Sequence, residues 1–142
     1  MPLYNPAFVA GPNSNISPAR FVKISGDFTV SQCTNGTSDA GDVVIGVSQE
    51  GSLAPPGIAE ALVGGTQTYY AATPGKSLKV FGLGDICVVE SGANITAGSK
   101  VKSDEFGKAI PATTSGDNAG GIALHGVTSG EKVLIQVNPH KV

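Results

Sequence analysis

Short apolar runs and polar turns alternate along residues 84–137, with a turn about every dozen residues. Each turn contains a glycine next to a polar or charged residue, and runs rich in Val, Ile or Ala follow the turns. This cadence is typical of antiparallel strands with tight connections. The turns are Gly84-Asp85, Gly98-Ser99, Phe106-Gly107-Lys108, Ser115-Gly116-Asp117 and Ser129-Gly130-Glu131.

The N-terminal half carries a less regular version of the same pattern. Residues 20–33 predict two strands around the turn Ser25-Gly26-Asp27, with Phe28 and Val30 on one face of the second strand. The continuous apolar run at 43–47 predicts a strand covered on both faces. Further strands are predicted at 66–71, 77–81 and 132–137, and Asn138-Pro139 is predicted to end the last one. Residues 58–63 could form a short helix or a loop.

Residues 1–19 are predicted to form an extended N-terminal arm, and residues 20–142 a β-rich domain. The arm has four prolines and no charge, and proline removes donors from a strand ladder. Two interpretations stay open, a frayed terminus and an arm that becomes ordered against a neighbouring subunit. In the second, the apolar side chains of the arm form the interface with that subunit. These residues are Leu3, Tyr4, Phe8 and Val9.

Composition narrows the function classes. Charged residues make up 14% of the chain and the formal net charge is −2, whereas an average soluble domain has about 25% charged residues. The sequence has no stripe of Lys and Arg residues of the kind that binds nucleic acid. It also has no apolar run that approaches the roughly 18 residues of a membrane helix. The N-terminus lacks the pattern of a secretory signal, so we expect synthesis in a cytoplasm. Nucleic acid and membrane are therefore not expected partners.

The residues that could perform chemistry are dispersed. Cys33 and Cys87 lie too far apart for a zinc motif and are predicted to be buried thiols, although a disulfide stays open. His125 has no acidic or cysteine partner at a metal-binding spacing. We therefore predict no catalytic residue, no metal and no cofactor. The Asp104-Glu105 pair is predicted to lie at an exposed hairpin tip, and Asp27, Asp42 and Asp85 are predicted to cap turns. His140, like His125, is predicted to be solvated or hydrogen-bonded.

The order of the turns between residues 88 and 137 resembles the capsid cement, or head decoration, proteins of tailed bacteriophages. The likeness is carried by Gly-x-x-Ile-x-x-Gly at 92–98, Ser-Asp-x-x-Gly-Lys at 103–108, Gly-Ile-Ala at 121–123 and Gly-x-x-Val at 130–133. Residues 20–23 and 44–47 look like the matching N-terminal strands, so the resemblance covers about residues 20–138.

The resemblance implies an all-β fold, a small antiparallel β-barrel or tulip-like β-sandwich, here with the extended arm and at most one short helix. It also implies a homotrimer that binds the major capsid protein on the outside of the virion and stabilises the expanded shell. The family shares no catalytic residues, so the chain is not expected to be an enzyme.

A different virion or surface β-module, such as a fibre base or a carbohydrate-binding domain, is the alternative. Carbohydrate-binding surfaces commonly stack sugars on exposed aromatic rings, and this chain has no tryptophan. Its tyrosines are Tyr4, Tyr69 and Tyr70.

Overall fold

The fold is all-β. The computed structural model describes residues 8–12, 15–51, 75 and 77–142, which contain ten strands and no helix. Over this part of the chain, no helix has the length and apolar character needed to cross a bilayer. The strands are β1 (Phe8–Ala10), β2 (Phe21–Gly26), β3 (Thr29–Gln32), β4 (Gly46–Gly51), β5 (Ser77–Phe81), β6 (Ile86–Glu90), β7 (Lys100–Ser103), β8 (Ala109–Pro111), β9 (Asn118–Ala123) and β10 (Lys132–Lys141).

The first five strands close into a barrel with the order β1-β3-β2-β4-β5. Closure depends on β1, which pairs with β3 in parallel and with β5 in antiparallel orientation. The other five strands form a sheet with the order β6-β10-β9-β7-β8. A bridge between Ser91 and Ala109 brings the end of β6 towards β8, so the second sheet curls towards closure.

The backbone geometry confirms the predicted positions of the turns in residues 84–137. The central glycine of every predicted turn has a positive φ, between 75° and 96°, which side-chain-bearing residues rarely adopt. These glycines are Gly84, Gly98, Gly107, Gly116 and Gly130. The strands between the turns follow the expected alternation, and in β10 the side chains of Val133, Ile135 and Val137 are fully buried.

One hydrophobic core joins the barrel to the sheet. Phe21 of β2 and Val47 of β4 are buried in the same cluster as Val89, Val133 and Val137 of the sheet. A second, smaller cluster fills the barrel, and Ile16, Val22 and Val30 are its fully buried members.

Backbone hydrogen bonds also join the two sheets. Gly107 accepts a hydrogen bond from the Phe21 amide at 2.8 Å, and Ala19 accepts one from the Glu90 amide at 3.0 Å. A Cβ on Gly107 would approach Gln32 Cγ to 2.9 Å, so this turn must be a glycine both for its φ and for its contact with the barrel.

A buried ion pair holds the loop at residues 34–42 against the sheet. Lys102 of β7 lies 3.2 Å from the Asp117 carboxylate and donates a hydrogen bond of 2.9 Å to the Asp39 carbonyl. The side chains of Lys102 and Asp117 are only 9% and 4% exposed. The same loop is capped by Asp42, whose carboxylate accepts the amides of Thr34 and Asn35.

Several sequence predictions are wrong in detail. The β2–β3 turn lies at Asp27 and Phe28, later than predicted, so Phe28 is in the turn and not in a strand. The strand predicted at 43–47 begins only at Gly46. Of the two valines before it, Val44 is buried in the core and Val43 is 72% exposed.

Proline does not end the last strand. β10 runs through Asn138 and Pro139 to Lys141, with a shift of register against β9 between Val137 and His140. A register shift leaves residues out of the regular ladder, and proline, which lacks an N–H, is tolerated there.

Part of the predicted arm belongs to the barrel. Residues 8–10 form β1, the strand that closes the barrel, and Ile16 is fully buried in the barrel core. At least from residue 8 onward, apolar side chains of this segment therefore pack within the chain's own fold. Residues 1–7, the predicted helix or loop at 58–63 and the predicted strand at 66–71 lie outside the described residues.

Candidate functional site

The ionisable residues singled out in the sequence have structural partners. No group of three or more His, Cys, Asp or Glu side chains could hold a metal among the described residues. The His125 ring accepts the Leu134 amide at Nε2, so Nδ1 carries the proton and donates to the Gly126 carbonyl at 3.1 Å. This histidine therefore bridges the end of β9 to β10.

Asp42 and Asp85 cap turns, as the sequence predicted, whereas Asp104, predicted to lie at an exposed hairpin tip, is buried. The buried Asp104 carboxylate accepts the amides of Phe106 and Lys108 and so shapes the β7–β8 turn, while Glu105 is exposed. Asp85 accepts the Gly82 amide in the turn before β6.

The Asp42 carboxyl shows how strong such capping can be. Burial disfavours its charged form, but the hydrogen bonds from Thr34 and Asn35 and the nearby Lys23 outweigh burial and lower its pKa below the ordinary value. The stability that this capping contributes is therefore present above the pKa of an unfolded aspartate and is lost as the pH falls through the folded value.

Both cysteines are free and buried. Burial, aided by the charge of Asp42, raises the pKa of the Cys33 thiol to about 12. Burial, aided by Asp85, raises that of the Cys87 thiol to about 12 as well. Both are protonated near neutral pH and are poor nucleophiles, since the thiolate is the reactive form.

The outer side of the second sheet exposes a contiguous set of aliphatic side chains, here called the sheet face. Leu134 of β10 lies opposite Val88 of β6 and is hydrogen-bonded through its carbonyl to the Leu124 amide after β9. The next row pairs Ile86 with Gln136. Between 42% and 59% of each of these aliphatic side chains is exposed, and the sheet face comprises Ile86, Val88, Leu124 and Leu134.

A second exposed apolar feature is the β2–β3 turn, here called the barrel tip (Asp27 and Phe28). Phe28 is 58% exposed and has a φ of 48°. Its carbonyl accepts the amide of Val9 in β1 at 3.0 Å, which ties the tip to the barrel. Ile24, near the end of β2, is 50% exposed.

The residues predicted for an interface divide between the described and undescribed parts of the chain. Leu3 and Tyr4 lie outside the described residues, and so do all three tyrosines considered for carbohydrate binding. Phe8 is partly buried and packs against the barrel core, and Val9 is 36% exposed on β1. An interface role for these residues stays a prediction.

Sequence reasoning identified neither the sheet face nor the barrel tip. The sequence signal for the sheet face was present in β6 and β10, where apolar residues occur on both faces of the strand. For Phe28 the only signal was its closeness to the turn sequence Ser25-Gly26-Asp27.

No protein-family model and no curated protein matches this chain. Among solved structures, it is similar to the crystal structure of the N base of the head fiber protein gp8.5 of bacteriophage phi29, with a TM-score of 0.54 and 16% sequence identity. The match covers 98% of this chain and 97% of the phage chain. At this identity the likeness shows a common fold, which extends over essentially the whole of both chains.

Proposed function

We propose that this chain is a structural protein of a bacteriophage head, attached to the outer surface of the virion shell. The observation that carries the proposal is the likeness in fold to a phage head fibre base over 98% of the chain. The order of turn motifs between residues 88 and 137 supports the same class of protein independently, because it resembles head decoration proteins. The major capsid protein is the proposed partner.

Two finer roles fit this placement. As a capsid cement protein, the chain would stabilise the expanded shell against the pressure of packaged DNA, which is the role implied by the turn motifs. As a fibre base, it would anchor a further structure to the shell, which is the role favoured by the name of the phi29 protein. Both roles need a rigid domain with exposed contact surfaces and neither needs turnover.

Binding to heads tests the proposal directly. The purified protein is expected to sediment with expanded, DNA-free heads of the phage whose genome encodes it, with a saturating number of copies per head. Unexpanded heads of the same phage are the comparison. No sedimentation with either form, under conditions in which a known decoration protein binds its own heads, would contradict the proposal.

The same preparation separates the two roles. A cement protein raises the temperature at which heads carrying the bound protein rupture. The reason is that a protein that binds the intact shell, and not the ruptured one, stabilises the intact shell by mass action. A fibre base that binds few sites leaves the rupture temperature unchanged.

We also propose that the chain forms a homotrimer through the sheet face. An exposed aliphatic surface on β6, β10 and the residue after β9 is the kind of patch that marks a protein–protein contact. Repeated subunits also strengthen attachment to a symmetric shell, because each further contact is made at high effective concentration.

Charge placed in the sheet face is expected to dissociate the trimer. Wild-type protein should have three times the 14.2 kDa mass of the chain by size exclusion with light scattering, and Leu134→Lys should have the monomer mass. Leu134 is already 42% exposed, so the charge can be solvated in the monomer. The matched control is Leu83→Lys, since Leu83 is 75% exposed in the turn before β6 and outside the sheet face. A monomeric wild type, or a trimeric Leu134→Lys variant, would refute this assignment.

A further inference from the structure

Phe28 is a residue that the fold does not explain. Apart from glycine, only Ala19 and Phe28 have a positive φ among the described residues. Such a backbone conformation is unfavourable for a bulky side chain, and turns that need it normally use Gly, Asn or Asp. An aromatic residue in this conformation therefore needs a reason.

For Ala19 the reason is visible in the fold. It is 8% exposed, its amide donates to the Ser48 carbonyl at 3.0 Å, and its carbonyl accepts the Glu90 amide at 3.0 Å. Its unusual φ is therefore imposed by the junction between the barrel and the sheet.

For Phe28 no comparable reason exists within the chain's described residues. Its side chain is 58% exposed and belongs to neither hydrophobic cluster. The bond that it makes to Val9 uses the backbone carbonyl, which any residue supplies. The fold thus carries two unfavourable features at one position, a strained backbone and a ring in water. Strained residues of this kind cluster at binding sites.

We infer that Phe28 is an anchor that inserts into an apolar pocket of a partner protein. Under the function proposed above, on which this inference rests, that partner is the shell protein of the phage head. Buried aromatic anchors in pockets supply much of the binding energy of protein interfaces. The half-exposed Ile24 pairs with Val30 next to the turn, and the partly exposed Val9 pairs with Thr29, so both add apolar surface near Phe28.

The charges around the tip favour a protein pocket over a membrane surface. Asp27, directly before Phe28, is acidic, and the nearest basic residue on β2, Lys23, is paired with Asp42 at 3.2 Å. A loop that inserts into an anionic lipid surface is typically flanked by unpaired basic residues.

The test uses a variant that separates binding from folding. Phe28→Asn removes the ring and introduces a residue that tolerates positive φ, so its urea midpoint should equal or exceed that of wild type. Its affinity for expanded heads, measured by quantitative co-sedimentation, should fall at least about tenfold. Phe28→Tyr, which keeps the ring, should bind within a few-fold of wild type.

Phe106→Asn is the matched control. Phe106 is also a turn phenylalanine, 55% exposed, but without a positive φ. Its contacts with Arg20 and Gln32 use its backbone carbonyl, which the variant retains. This variant should bind heads within about twofold of wild type.

The outcomes are distinguishable. If wild type binds heads and Phe28→Asn binds equally well, the inference is overturned and the proposed function stands. A lowered urea midpoint for Phe28→Asn would make Phe28 a structural residue, and a changed mass by light scattering would make it a contact between subunits; either result overturns the inference. If wild type fails to bind heads, both the proposed function and this inference fail.

Discussion

Replacing Phe21 with alanine is expected to lower the free energy of unfolding by about 3–5 kcal/mol, the usual cost of removing a buried phenylalanine ring. The side chain is fully buried in the core cluster shared by the barrel and the sheet. It also packs directly on β9, since a Cβ on Gly120 would lie 2.7 Å from Phe21 Cε1. The cavity left by Phe21→Ala would therefore open at the contact between the two sheets.

Urea unfolding followed by circular dichroism measures this loss, and hydrogen exchange read by mass spectrometry locates it. Amides of β2 and β9 should lose protection together, because the two sheets share one core. Phe106→Ala is the matched control and should change stability by no more than about 1 kcal/mol, since the ring is exposed and its contact with a charge, Lys108 Nζ at 5.9 Å, is weak. A loss below about 1 kcal/mol for Phe21→Ala would contradict tight packing of the Phe21 ring, and protection lost only in the barrel would show that the two cores are independent.

Removing the charge of Lys102 is expected to cause the second large loss of stability. Lys102→Met leaves the Asp117 carboxylate buried, 4% exposed, without its cation. The substitution also removes the hydrogen bond that the Lys102 ammonium donates to the Asp39 carbonyl. Breaking one partner of a buried ion pair costs about 3–5 kcal/mol, because the remaining charge is uncompensated. The urea midpoint of the variant should fall accordingly.

The double variant Lys102→Met/Asp117→Asn tests the reason. With both charges gone, stability should return to within about 1–2 kcal/mol of wild type, since only the hydrogen bond to the Asp39 carbonyl remains unmade. Lys23→Met is the control for an ion pair in contact with water. The Lys23 side chain is 30% exposed, and the loss should stay at or below about 1 kcal/mol. A double variant as unstable as Lys102→Met would mean that the hydrogen bond to the Asp39 carbonyl, which both variants lack, matters more than the charge pair.

The candidate surfaces illustrate where prediction from sequence stops. In β6, Ile86 and Val88 alternate with Cys87 and Val89, so both faces of the strand are apolar. Periodicity then cannot indicate which face meets the core. The structure shows that Cys87 and Val89 are buried, whereas Ile86 and Val88 are exposed, because no element among the described residues covers that side of the sheet.

The role of residues 8–10 was likewise beyond the sequence. Proline, asparagine and the absence of charge in the first segment favour an extended arm. The closure of the barrel by β1, through pairing with β3 and β5, depends on strands far along the chain. Phe28 was misplaced for the same reason, since the register between β2 and β3 shifts after Ile24 and moves the turn.

The sequence by itself determined the all-β class and the positions of the turns in the second half of the chain. These are local properties, because a glycine with positive φ at Gly84, Gly98 or Gly130 depends only on the residues beside it. Only the tertiary structure decided which apolar residues are covered, how far β10 runs past Pro139, and which strand closes the barrel. Those features depend on contacts between residues distant in sequence, and hydrophobic periodicity carries no information about the partner of a strand.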